Sequence, residues 1–217
     1  MDTHITLNSS KLLLTNNEGS AKDTVVLFLP GISGKAHSKR FQPLVDITLG
    51  AGLPIARLDA WSGEESLQDK TYTQMQQLVT QAIEYLVSLG YVQIIGVGKS
   101  FGGGLLLSMH NEALTKKILW APAIGFGMES ALYATKLKEI ADLKTIQVSP
   151  EFVRADAAKI YIVHGTADTA FPIETSREFI AHATAGQLVE VAGADHSFKA
   201  PESEAALLQA TLNFLQN

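Results

Sequence analysis

The stretch "GVGKSFGGG", residues 96–104, follows an apolar run that begins at Val92, and three glycine-turn motifs compete for it. A phosphate-cradling loop needs G-x-x-x-x-G-K-[ST], and Gly98-Lys99-Ser100 supplies its end, but Gln93 stands where the first glycine must be. A dinucleotide fingerprint starting at Gly96 and Gly98 needs its third glycine at Phe101, where a ring would keep a helix from packing close to its strand. The pattern that fits throughout is G-x-S-x-G, read as Gly98-Lys99-Ser100-Phe101-Gly102. Here a serine occupies a sharp strand-to-helix turn, glycines two residues either side make room, and the hydroxyl is pushed out at the sheet's edge. An ordinary tight turn can carry the same five residues, so the rest of the chain has to decide.

The bulk properties narrow the field. A chain of 217 residues, 46% hydrophobic and 18% charged, has the composition of one globular domain spanning 1–217. With 17 Lys and Arg against 22 Asp and Glu the net charge is -5, and no basic cluster suggests a nucleic-acid partner. The densest basic spot, "HSKR" at 37–40, reads as a solvated helix start. No apolar run approaches a membrane span, and "MDTHITLNSS" has no secretion pattern. Without cysteine, disulfides and thiolate sites are excluded, which fits a cytoplasmic location. The six histidines show no H-x-H or H-x-x-x-H spacing, so no metal is expected.

Short runs rich in Val and Ile recur as "VVLFL" (25–29), "IARL" (55–58), "VQIIGV" (92–97), "KILW" (117–120), "IYIV" (160–163) and "LVEV" (188–191). Apolar on both faces, they suit strands buried between two layers. Met75, Leu78, Val79, Ala82, Ile83, Leu86 and Val87 recur at helical spacing up to Gly90, and a second helix runs from Pro201 to Leu215. Alternation of this kind predicts an α/β fold, a mostly parallel sheet with helices on both faces. "HITL" and "KLLLT", joined through Asn8, Ser9 and Ser10, predict an antiparallel start. In such sheets the ligand site lies beyond the carboxyl ends of the strands.

The loops at those ends carry the chemistry. Ser100 follows one strand, Asp168 in "HGTADTAFP" follows "IYIV", and His196 in "AGADHSF" follows "LVEV". A serine hydroxyl is a poor nucleophile near neutrality, so His196 would take its proton during attack and return it to the leaving group. Asp168 would hold the imidazole in the useful tautomer and stabilise its cation. Ser, Asp and His in that order, with "LPGISG", "GKSFGG", "HGTAD" and "GADHSF" after the right strands, resemble a small α/β-hydrolase of carboxylesterase or dienelactone-hydrolase type over essentially the whole chain.

That resemblance implies a cofactor-free serine hydrolase acting on small carboxylic esters through an acyl-enzyme. It implies an oxyanion hole from the backbone N–H of Phe101 and one N–H of "PGISG", taken as Ile32 with Ser33 as the alternative. Many relatives carry His-Gly where this chain has Pro30-Gly31. Thioesterase, amidase or peptidase action on the same triad, or a non-catalytic binding protein on the same fold, stay open. Trp61, Phe126 and Met128 are the candidate substrate contacts, with core packing as the competing reading for each. The segment 121–158, where relatives insert a cap, is too short for a large lid, which implies an open pocket and short acyl chains. Among the other polar residues, Asp195 is expected to shape its loop, His164 to make a structural hydrogen bond and Lys99 to be solvated. His37 is a rival base, and activity is expected to rise with pH through about 7.

Overall fold

In the computed structural model, which describes residues 2–7, 10–16, 20–32, 34–61, 71–124, 140, 142, 159–182 and 186–217, the apolar runs do become strands. The strands are β1 (Asp2–Leu7), β2 (Ser10–Thr15), β3 (Thr24–Leu29), β4 (Ile55–Asp59), β5 (Gln93–Lys99), β6 (Leu114–Trp120), β7 (Lys159–Gly165) and β8 (Gly186–Val191). They form one eight-stranded sheet in the order β1-β2-β4-β3-β5-β6-β7-β8. The hairpin β1-β2 is antiparallel, as the sequence predicts, and it joins β4 antiparallel, while every pairing from β4 to β8 is parallel.

The helices are α1 (Gln42–Gly50), preceded by a 3-10 turn at Lys39–Phe41, then α2 (Tyr72–Ser88), α3 (Phe101–Leu107), α4 (Ile173–His182) and α5 (Pro201–Gln216). Because successive strand residues face opposite sides, the sheet splits the core in two. Val25, Leu27, Leu29 and Ile94 pack with Met75, Val79 and Ile83 of α2 and Leu105 of α3. Val26, Phe28, Ile95 and Val97 pack on the other face with Leu44 of α1 and Leu207 and Phe214 of α5. Each such side chain, fully buried, stabilises the fold by about 1.5–3 kcal/mol relative to exposure, which is why both faces of the central strands read as apolar.

Local signals set the ends of α2. Thr71 Oγ1 accepts from the Gln74 N–H at 3.1 Å and Gln74 Oε1 accepts from the Thr71 N–H at 2.7 Å, closing a capping box. Asp142 Oδ2 accepts from the Thr73 N–H at 3.0 Å, tying this helix start to the connection between β6 and β7. The helix stops before Gly90, whose φ of +99° takes the chain into the left-handed region.

Candidate active site

The G-x-S-x-G turn lies where β5 meets α3. Ser100 has φ 52° and ψ -114°, a conformation that an L-residue adopts only when its surroundings enforce it. The neighbouring glycines allow the enforcement. A Cβ on Gly98 would lie 2.7 Å from Gly103 Cα, and one on Gly102 would lie 2.5 Å from the Leu29 carbonyl oxygen. The loop after β3 also closes on the serine, since a Cβ on Gly31 would meet Ser100 Cβ at 3.4 Å.

β5, β7 and β8 are parallel members of one sheet, so the loops that follow them emerge at one rim. There His196 Nε2 lies 2.9 Å from Ser100 Oγ, and His196 Nδ1 lies 2.7 Å from Asp168 Oδ2. An ionised carboxylate only accepts, so Nδ1 carries the proton and donates, leaving the Nε2 lone pair to accept from the serine hydroxyl. Ser100 and Asp168 are buried, while the His196 side chain keeps 20% exposure.

Asp168 is held from four sides. Its Oδ1 accepts from the Ala170 and Phe171 N–H groups at 2.8 and 2.9 Å, and its Oδ2 accepts from both His196 and His164 Nε2, the latter at 3.1 Å. Burial alone would raise the Asp168 carboxyl, but the hydrogen bonds from His164, His196 and Phe171 outweigh it and hold the group well below the usual carboxylate range. His196 is shifted down chiefly by its own burial, with Lys99 pushing the same way and Asp168 opposing. At neutral pH the arrangement is therefore a carboxylate, a neutral imidazole and a hydroxyl, the state in which the imidazole can accept a proton.

A cavity of about 490 Å³ opens beside Ser100 and His196. Ile32, Phe41, Leu44, Trp120 and Leu207 supply apolar wall, and Lys35, Arg40 and Glu204 add charge. Ile32 is thus at the site, whereas Ser33, Phe126 and Met128 lie outside the described residues, as do most of 121–158. Trp61 is fully buried, edge-on to Phe101 with centroids 5.7 Å apart, and is not among the residues lining this cavity. Phe101 begins α3, so its N–H has no acceptor within the helix.

The remaining polar residues sort themselves by contact. His37 Nδ1 is 2.9 Å from Asp59 Oδ2, and both line a different cavity from the one beside Ser100 and His196. Asp195 Oδ1 accepts from the Ser197 and Lys199 N–H groups at 3.0 and 3.1 Å, shaping the turn as the sequence suggests. His164 makes its structural bonds, to Asp168 and at 2.7 Å to Ser176 Oγ. Lys99 departs from the reading as a solvated residue: it is 9% exposed, and its Nζ donates to the His196 carbonyl. Strand alternation explains the difference, because Lys99 shares the inward α1/α5 face with Ile95 and Val97. Counting by twos along β5 would have revealed it. The basic spot at 37–40 is an exposed approach to α1, as the sequence suggests, and within it Arg40 donates to the Ser197 carbonyl.

Neither a protein-family model nor a curated protein sequence matches the chain. Solved structures do match. The esterase Est1E from Butyrivibrio proteoclasticus, in a ferulic acid complex, superposes with a TM-score of 0.82 over 99% of this chain and 100% of its own, at 19% identity. The fold is that of the α/β-hydrolases. A dienelactone hydrolase from Anabaena variabilis (TM-score 0.75, 17% identity, 99% and 95% covered) and a propionate-bound thermophilic esterase from Thermogutta terrifontis (0.70, 22%, 95% and 88%) share the α/β-hydrolase architecture. Among the described residues, no helix is long and apolar enough to cross a membrane.

Proposed function

We propose that the protein is a serine hydrolase that cleaves small carboxylic esters through an acyl-enzyme, without a cofactor. The observation that carries this reading is the continuous run of hydrogen bonds from Asp168 through His196 to Ser100. The esterases among the similar structures support esters as the substrate class.

The steps follow from the geometry. Ser100 Oγ attacks the ester carbonyl carbon as its proton passes to His196 Nε2, and Asp168 stabilises the imidazolium. The carbonyl oxygen, now negative, is held by the N–H groups of Phe101 and Ile32, and losing one such donor costs about 2.7–4 kcal/mol of transition-state stabilisation. Collapse breaks the bond to the alcohol oxygen, which leaves with the proton from His196. Water, deprotonated by the same nitrogen, then adds to the acyl-enzyme, and Ser100 Oγ recovers the proton as the acid departs. The acyl chain is short, a reading that rests on the brevity of the segment 121–158, where relatives insert a cap.

Fluorophosphonate labelling with and without Ser100→Ala, followed by p-nitrophenyl esters from acetate to decanoate, tests this reading. Labelling that depends on Ser100 and turnover falling with acyl length are expected. Labelling that survives the substitution, or preference for long chains, counts against it.

A further inference from the structure

The loop that carries the proposed base is built under tension and fastened by charge. Phe198, two residues beyond His196, has φ +51° with a bulky side chain, a conformation that persists only where the surroundings over-determine it. Its ring is buried in the α1/α5 core. On the N–H side the turn is organised by Asp195, whose Oδ1 takes Ser197 and Lys199 and whose carbonyl takes the Phe198 N–H at 3.1 Å. On the carbonyl side two cations arrive from separate parts of the fold. Lys99, at the end of β5, binds the His196 carbonyl, and Arg40, in the 3-10 turn before α1, binds the Ser197 carbonyl.

We infer that Lys99 and Arg40 are a pair of positioning residues which, by gripping consecutive carbonyls of the histidine loop, hold His196 Nε2 at the height where it meets the Ser100 hydroxyl. This rests on the hydrolase reading above. Hydrogen bonds from charged donors are stronger than neutral ones, and a buried ammonium lacking water has few alternative acceptors. Nζ also lies 5.5 Å from the Phe198 ring centroid, so one side chain braces both the carbonyl of the base and the strained residue beyond it. Because Lys99 directly precedes the nucleophile, the grip ties the position of the imidazole to that of Ser100 itself.

The charge matters as well as the bond. Lys99 faces Asp168, Asp195 and Arg40, and His196 faces Asp168, Lys99 and His164, with Lys35 and Glu204 on the cavity wall. Within that set Lys99 opposes protonation of His196. A neutral replacement therefore loosens the loop and also makes the base easier to protonate, whereas a purely space-filling role would do neither.

The test uses Lys99→Met, Lys99→Arg and Arg40→Gln, with amide hydrogen exchange over 196–199 and fluorophosphonate labelling as a function of pH. Below about pH 7, where Lys99 carries its charge, Lys99→Met is expected to speed exchange and slow labelling by about tenfold, the size of a lost charged hydrogen bond. Its acid limb should move to higher pH. Arg40→Gln should act severalfold in the same directions without moving the limb as far, and Lys99→Arg should recover most of both losses. Wild-type labelling rates and acid limb retained in Lys99→Met and Arg40→Gln overturn the inference, whatever the exchange shows. Should Lys99→Met not fold, the exposed Arg40 and the Lys99→Arg variant carry the comparison. If the wild type itself does not label, the hydrolase reading fails by that result alone. Exchange then decides the grip, and unchanged exchange overturns it.

Discussion

His164 and His196 share one oxygen: both ring N–H groups donate to Oδ2 of Asp168, from 3.1 and 2.7 Å. The tautomer of His164 follows from its partners. Its Nε2 faces that carboxylate and the Phe171 carbonyl at 3.0 Å, both acceptors, so Nε2 is protonated and Nδ1 accepts from Ser176 Oγ. His164→Leu removes these bonds from a fully buried site and leaves the Phe171 carbonyl without its imidazole donor. Denaturant unfolding should show a loss of about 1–3 kcal/mol, with a fall in turnover smaller than that of Asp168→Asn, about 10⁴ in comparable triads.

The acid limb of kcat/KM should lie below the ordinary imidazole value of about 6.5, because burial and Lys99 together lower His196. This revises the sequence-based expectation of about 7. The base works when unprotonated, so a lowered pKa extends activity toward acid. A profile level from acid to alkaline pH would remove His196 from the role.

Lys99 should weaken the fold while serving the site. Burial presses its ammonium down to about 7, despite the raising influence of Asp168 and Asp195. Between that value and the lysine's unfolded value of about 10.4 the unfolded chain binds the extra proton, so wild-type stability from this group rises with pH across the window and is lowest below it. Lys99→Met escapes that penalty. Its melting temperature relative to wild type should be most favourable near pH 6 and decline steadily toward pH 10, by scanning calorimetry.

The backbone at Ser100 gives a further contrast. At φ 52° and ψ -114° a Cβ is strained by about 1–3 kcal/mol, more than the about 0.5–1 kcal/mol that glycine loses in chain entropy. Ser100→Gly should therefore melt above Ser100→Ala, although both abolish labelling. Equal melting temperatures would show that the turn is unstrained.

The sequence disclosed most where burial and alternation coincide. Val25 to Leu29 and Ile94 to Val97 lie inside the sheet with both faces covered, so their hydrophobicity alone marks them as strands. The loops of Ser100, Asp168 and His196 were legible because their strands were. β6 was harder: it starts at Leu114, before the "KILW" run, because lysines conceal its beginning. Lys117 is 1% exposed and Lys116 half-buried, and their ammonium groups reach the Met109 and Phe214 carbonyls at 2.7 and 2.8 Å. Lys99 has the same kind of partner, a main-chain carbonyl, and alternation along β5 is the one sequence signal of its burial. A cation whose partner is a main-chain carbonyl far along the chain leaves no complementary acidic residue to find.

β6 separates the strand before Ser100 from the strand before Asp168, and contributes no side chain to the hydrogen-bonded run from Asp168 through His196 to Ser100. Neighbouring strands run about 4.8 Å apart, so it acts as a fixed spacer whose width the imidazole has to bridge. The connection leaving it at the same rim is fastened at its root, where the Ala123 N–H donates to the Ser100 carbonyl at 3.0 Å and the Ala121 N–H to the Val163 carbonyl at 2.9 Å, so the spacer and the serine turn move together. For an engineer, positions 121–123 are therefore ones to hold fixed while the pocket is recast elsewhere.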